Sequence, residues 1–223
     1  MIQTETKEER IEGELTKTLF VSLVTSFITL GLLYYLKLKY LPGFISNYGF
    51  YIFLAIISYA IILLPIRQVR MHREFPCMSG MMIGMTIGMI SGFLPGFLVG
   101  ATNGMFWGSV FGMTIGILFG TWNGKCCGIM GVMEGIMSGF MGGLMGAMTA
   151  IMMLNDNIRA AGVIVLIVSA SILIGLSMLI YKETRSTEQR HREDHTFTIV
   201  WSFLLTVATI WLMVFGPRSM LFQ

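Results

Sequence analysis

Charge is scarce in this chain. Asp, Glu, Lys and Arg together make up 12% of its 223 residues, about half the share found in a soluble domain. Long stretches carry no charge at all, which excludes an ordinary water-soluble globule. Cysteine is also rare. The three thiols, Cys77, Cys126 and Cys127, are an odd number, which argues against a disulfide framework. The strict apolar/polar alternation of a membrane β-barrel is missing. So are the phosphate-binding loop, the dinucleotide fingerprint, the nucleophile elbow and the zinc-protease helix, and there is no nucleic-acid-binding motif. Direct use of ATP is therefore not expected, and neither is an enzyme. The three histidines, His72, His191 and His195, fall in connecting segments and read as solvated loop residues.

Apolar sequence is abundant. Hydrophobic residues account for 55% of the chain and the mean hydropathy is +0.75. The hydrocarbon core of a bilayer is about 30 Å thick, so a helix rising 1.5 Å per residue needs about 20 apolar residues to cross it. Seven segments meet this requirement: 18–36, 45–66, 78–100, 104–123, 127–153, 160–181 and 197–215. Lipid cannot hydrogen-bond a bare amide, so these segments are expected to be helices. The expected fold is an all-α, polytopic transmembrane bundle of about seven helices with a central glycine-zipper block.

The polar segment 1–17 does not resemble a secretory signal, so the first apolar run is expected to be an uncleaved anchor. Seven spans place Lys7, Arg10, Lys17, Arg67, Arg70, Arg73, Lys125, Lys182, Arg185, Arg190 and Arg192 on one side of the membrane. Lys37, Lys39, Arg159 and Arg218 fall on the other. The excess of basic residues predicts a cytoplasmic N-terminus and an external C-terminus. The net charge of +3 is explained by attraction of these basic residues to anionic lipid.

By composition the chain divides into the N-terminal segment 1–17, a helix pair over 18–66, a three-helix block over 78–153 and a second helix pair over 160–215. The middle block holds fifteen of the 20 methionines and nineteen of the 26 glycines. The flanking helices face the same bilayer and use ordinary aliphatics, so the excess belongs to the block and is not a general response to lipid. Glycine recurs at every fourth position from Gly80 to Gly128, and Gly84-Met85-Thr86-Ile87-Gly88 repeats as Gly112-Met113-Thr114-Ile115-Gly116. Such repetition suggests related hairpin arms, with a turn at Ala101-Thr102-Asn103-Gly104. Pro95 is expected to kink the third helix. Glycine lets helix backbones touch where lipid gives no hydrophobic drive to associate. Gly84, Gly88, Gly112, Gly116, Gly131, Gly135 and Gly139 are therefore the expected helix-packing residues.

The fifth segment has two faces. At 100° per residue, its glycines fall on one side, while Met130, Met133, Met137, Met141, Met145, Met148 and Met152 gather on the other with Glu134. Two readings follow; the expected function is the second, transport or handling of a small ion, and the first is its alternative. In the first, the methionines are a soft packing surface, the glycine zipper drives homo-oligomerisation or partner binding, and the protein is structural. In the second, thioethers and thiolates hold a soft ion, Cu(I) being the best match to sulfur. Met130, Met133, Met137, Met141 and Glu134 would then form an ion path, with Cys126, Cys127, Cys77, Met78 and Met82 as metal ligands at its mouth. Cys126 and Cys127 equally suit burial or palmitoylation near the membrane face. A charge within a span usually marks an ion path or proton relay. Glu134 can instead be protonated through desolvation or pair with Lys125.

The block from Gly124-Lys125-Cys126-Cys127-Gly128 through Gly146-Ala147-Met148 resembles the glycine- and methionine-rich middle of bacterial multi-pass membrane proteins of unknown function. The resemblance covers about a third of the chain and implies a bacterial plasma-membrane location. It carries no assigned activity.

Overall fold

The computed structural model describes residues 2–36, 44–71, 77–125, 128–154, 156–184 and 196–216. Within these, the side chains of 2–16, 36, 44–47, 71, 77 and 182–184 lie outside the description. Among the described residues the chain forms seven helices and no strand: α1 (Ile2–Leu36), α2 (Phe44–Met71), α3 (Cys77–Asn103), α4 (Met105–Gly124), α5 (Gly128–Met152), α6 (Ile158–Thr184) and α7 (Thr196–Phe215). Each contains a stretch long and apolar enough to cross a membrane: 17–35, 48–70, 78–103, 105–124, 128–152, 158–181 and 196–215. The chain is thus a multi-pass, all-α membrane protein, and its spans fall within a few residues of those read from hydropathy.

Glycine disfavours a helix in water by about 1 kcal/mol per residue relative to alanine. Leaving one amide unsatisfied in hydrocarbon costs several kcal/mol. The second penalty is the larger, so α3, α4 and α5 remain helical despite their glycine content. Only two described glycines have positive φ, Gly104 at 101° and Gly128 at 69°, a region that L side chains rarely occupy. Gly104 alone separates α3 from α4: its N–H bonds back to the Gly100 carbonyl at 3.2 Å, and its carbonyl accepts the Gly108 N–H at 3.1 Å. The expected four-residue turn is therefore a one-residue break.

The α3, α4 and α5 helices have their most extensive contacts with one another, and glycine lies at almost every point where they meet. Adjacent helices in this block run antiparallel. A methyl group on Gly84 would lie 3.0 Å from the Gly124 Cα, and one on Gly112 would lie 2.8 Å from the Gly96 Cα. On the next interface, a methyl on Gly116 would lie 2.9 Å from the Gly139 Cα, and the same distance separates one on Gly112 from the Gly143 Cα. Gly88 meets Gly120 and Gly135, while Gly124 meets Gly131. Each step of four residues along one helix reaches a glycine four residues along its neighbours. The block is thus a stack of three-residue layers in which backbone lies on backbone. In the last layer Ala147 replaces glycine, 3.0 Å from the methyl position of Gly100.

The other face of α3 is conventional. Ile83, Ile87, Leu94, Phe97 and Leu98 are buried there with Ile52, Ile56, Tyr59 and Ile62 of α2. Gly162 of α6 sits against Phe97 and Leu54. The two flanking segments are interleaved. α6 packs mainly on α2 and α7 mainly on α1, and α2 reaches α1, α3 and α7 as well. Asn103 is buried at the end of α3 and does more than form a turn. Its Nδ2 donates to the Leu212 carbonyl at 2.7 Å, tying α3 to the last turn of α7. The α5 helix has extensive contacts with α3 and α4 alone, so one of its sides faces outward along its length.

Gly139→Ala puts a methyl onto the Gly116–Ile117 peptide group and should destabilise the protein by about 1–3 kcal/mol, the usual cost of overpacking. Gly175→Ala in α6 meets open space and should be neutral or slightly stabilising. Thermal unfolding of both variants in detergent checks the contrast; equal effects would remove the special role of the block.

Candidate functional site

The methionine positions of the expected ion path lie on the outside of the block. Met130, Met133, Met137 and Met141 are exposed along α5, as are Met145, Met148 and Met152. On α3, Met78, Met82, Met85 and Met89 are exposed too. The two rows belong to one side of the molecule. The Met89 carbonyl lies against Gly142, which adjoins Met141, and the Phe93 carbonyl lies against Gly146, which adjoins Met145. Among the described residues, the interior between α3, α4 and α5 is filled by glycine backbone, with no row of thioethers in it.

Glu134 is half-buried on α5, one turn from Met130 and from Met137. It sits six residues into the helix, about 9 Å along its axis. It has no ion pair among the described residues, and Lys125 is exposed at the end of α4. Cys126 and Cys127 lie outside the described residues, as does the side chain of Cys77, so the thiol mouth of the path lies outside the description. No group of three or more His, Cys, Asp or Glu residues suited to a metal occurs among the described residues.

Every helix-packing glycine named from the sequence is buried within the chain: Gly84, Gly88, Gly112 and Gly116 on α3 and α4, and Gly131, Gly135 and Gly139 on α5. Gly143 belongs to the same set. Gly128 does not, because it is exposed and touches nothing. With its glycines occupied internally, the block turns methionines outward on α3 and α5, and Phe106, Leu118 and Trp122 outward on α4.

A second polar constellation went unread in the sequence. Thr18, Ser22, Ser26 and Thr29 form a buried stripe on α1, facing Thr198, Ser202, Thr206 and Thr209 of α7. Ser26 and Ser202 share a hydrogen bond at 2.7 Å. The Ser202 hydroxyl also lies 3.2 Å from the Ser22 carbonyl, and Thr206 donates to Ser26 at 3.4 Å. Several of these hydroxyls also bond carbonyls of their own helix, as Thr206 does to Ser202 at 2.6 Å. Further along the seam the fully buried Tyr59 hydroxyl is close enough to Thr209 to feel it, but makes no hydrogen bond of normal geometry. At the other end Arg67 of α2 is 7% exposed and donates through Nη1 to Thr18. The signal was available: both stripes place hydroxyls at successive spacings of four, four and three residues, one face of a helix.

Next to this seam Arg70 lies over the Phe197 ring, 3.9 Å from its centroid, and 5.4 Å from that of Trp122. Trp122, Phe197 and Trp201 stack edge-on or tilted with centroids 5.4–6.0 Å apart. Aromatic rings and arginines at span ends are the usual furniture of a membrane interface. Comparison with family models, with curated proteins and with solved structures gives no match for this chain.

Hydroxyl pairs between membrane helices contribute about 0.6 kcal/mol on average and up to about 1.7 kcal/mol. Ser202→Ala removes the hub of the seam and should lower stability by an amount in that range while preserving the α3–α5 block. Thermal unfolding checks the first part and protease resistance of the block the second. A loss of several kcal/mol would show that the seam is not simply glue between α1 and α7.

Proposed function

We propose that the protein is a non-catalytic membrane scaffold that works as an assembly of copies joined through the methionine side of α5 and α3. The observation that carries this reading is Glu134. A charged side chain facing lipid costs about 3 kcal/mol at the centre of a span on insertion scales and less toward its ends. Within its own chain Glu134 has no ion-pair partner among the described residues. A second copy related by a two-fold axis along the membrane normal brings its own Glu134 to the same depth, so that the two side chains meet each other instead of lipid. Closed two-fold dimers are also the commonest form of assembly. Methionine suits the rest of such a face because its flexible thioether adapts to the opposing surface. The outward side of α6 offers a comparison: there Ile164, Ile167, Val168 and Ile172 meet the surroundings with ordinary aliphatics.

Soft-ion handling is a second reading of the same face. It is favoured by the spacing of Met133, Met137 and Met141, one turn apart on the exposed side of α5, with the α3 methionines beside them. Thioethers suit Cu(I), and in this reading the ion is held between copies. A plasma-membrane location with the N-terminus in the cytoplasm goes with both readings and rests on the basic-residue bias and the resemblance described above.

Copies per particle, counted by native mass spectrometry from lipid nanodiscs, test the proposal. Wild type should be oligomeric. Glu134→Gln, which still donates and accepts hydrogen bonds, should remain so, whereas Glu134→Leu should shift toward the monomer. The triple change Met133→Leu, Met137→Leu, Met141→Leu nearly conserves volume. It should leave assembly intact under the scaffold reading and abolish Cu(I) retention under the ion reading. A monomeric wild type removes the scaffold reading, and failure of wild type to retain Cu(I) removes the other.

A further inference from the structure

We infer that Arg67, Thr18 and Thr198 form a binding site for a single phosphate group at the junction of α1, α2 and α7. The guanidinium of Arg67 is more than nine-tenths buried, three residues inside the end of the α2 span, about 4.5 Å along the axis. Its Nη1 donates to Thr18, its Nε has no hydrogen-bond partner, and no carboxylate among the described residues pairs with it. A buried cation without a counter-charge is strongly unfavourable, so this geometry calls for an anion.

The neighbouring groups suit one. Ser22 and Ser202 are bonded at a sequence offset of 180, as are Ser26 and Thr206, and the same register brings Thr198 level with Thr18. The Thr198 hydroxyl is buried and has no partner, so it is a second donor without an acceptor. Thr198 also lies in the first turn of α7, which begins at Thr196. Amides of a first helical turn lack intrahelical acceptors and favour negative charge. Arg70, over Phe197, adds a second positive charge one turn along α2. Guanidinium recognises phosphate through paired N–H donors, and the hydroxyl and the amides supply the remaining ones. The phosphate can belong to a lipid headgroup reaching in from the leaflet or to a soluble anion entering from the adjacent water.

The test uses the protein in maltoside detergent micelles, which carry no phosphate, with the thermal unfolding midpoint as readout. One arm adds inorganic phosphate against potassium chloride of equal ionic strength. The other adds phosphatidylglycerol to the micelles and no inorganic phosphate. A rise in midpoint with phosphate assigns a soluble anion; a rise with phosphatidylglycerol alone assigns a headgroup. In either case Arg67→Gln and Thr198→Val should weaken the apparent affinity about tenfold or more, as loss of a charge-assisted hydrogen bond implies, while Lys125→Gln should respond like wild type. Thr198→Val keeps the charge and decides the matter if Arg67→Gln does not fold. No response in either arm, or an undiminished response in Thr198→Val, overturns the site.

Discussion

The structure depends on direct contact between helix backbones in the α3–α4–α5 block. In hydrocarbon, helices gain nothing by hiding apolar side chains from one another, and cohesion comes from close van der Waals approach and from hydrogen bonds. Both devices occur here, in separate places. α3, α4 and α5 are held by glycine layers, with Gly112 touching both Gly96 and Gly143. α1 and α7 are held by hydroxyls around Ser202. α3 joins the two systems, offering glycine to α4 and α5 and ordinary apolar side chains to the remaining helices.

The outer surface follows from this arrangement. Helix faces devoted to glycine leave the large side chains on the opposite faces, and in α3 and α5 these are methionines. A membrane protein facing only lipid has no need of that choice, as α6 shows with its isoleucines and valines. The proposed function rests on the methionine rows together with Glu134, and the glycine block is the body that carries them. Arg67 belongs to a different region at the α1–α2–α7 junction, where the surrounding hydroxyls and the start of α7 favour negative charge.

Much of the fold was legible because each level of the sequence obeys one constraint. Spans must be apolar for about 20 residues, so their number and limits could be read directly. The glycine period marked the packed faces and the residues on them. It did not reveal which glycine meets which, because any pair of helices with a four-residue stripe can be brought together; the partners of Gly124 and Gly139 required coordinates. Arg67 was read only as one of the basic residues flanking the second span, whose apolar run ends at residue 66. α2 instead continues through Pro65 to Met71, since a proline forfeits one backbone bond and its neighbours keep theirs. The hydroxyls of α1 and α7 were passed over because serine and threonine usually bond their own helix. Several here do so and still reach across to the neighbouring helix. The thiols of Cys126 and Cys127 lie outside the described residues.

The most direct test of backbone-on-backbone contact is solid-state NMR of the protein in bilayers with glycine alone carrying ¹³C. Glycines four apart in one helix are separated by ~6 Å along the axis. The structure predicts stronger cross-peaks between chain-distant glycines, Gly116 with Gly139 and Gly112 with Gly96 and Gly143. A spectrum containing only cross-peaks from within single helices, such as that of the adjacent pair Gly142 and Gly143, would contradict the account.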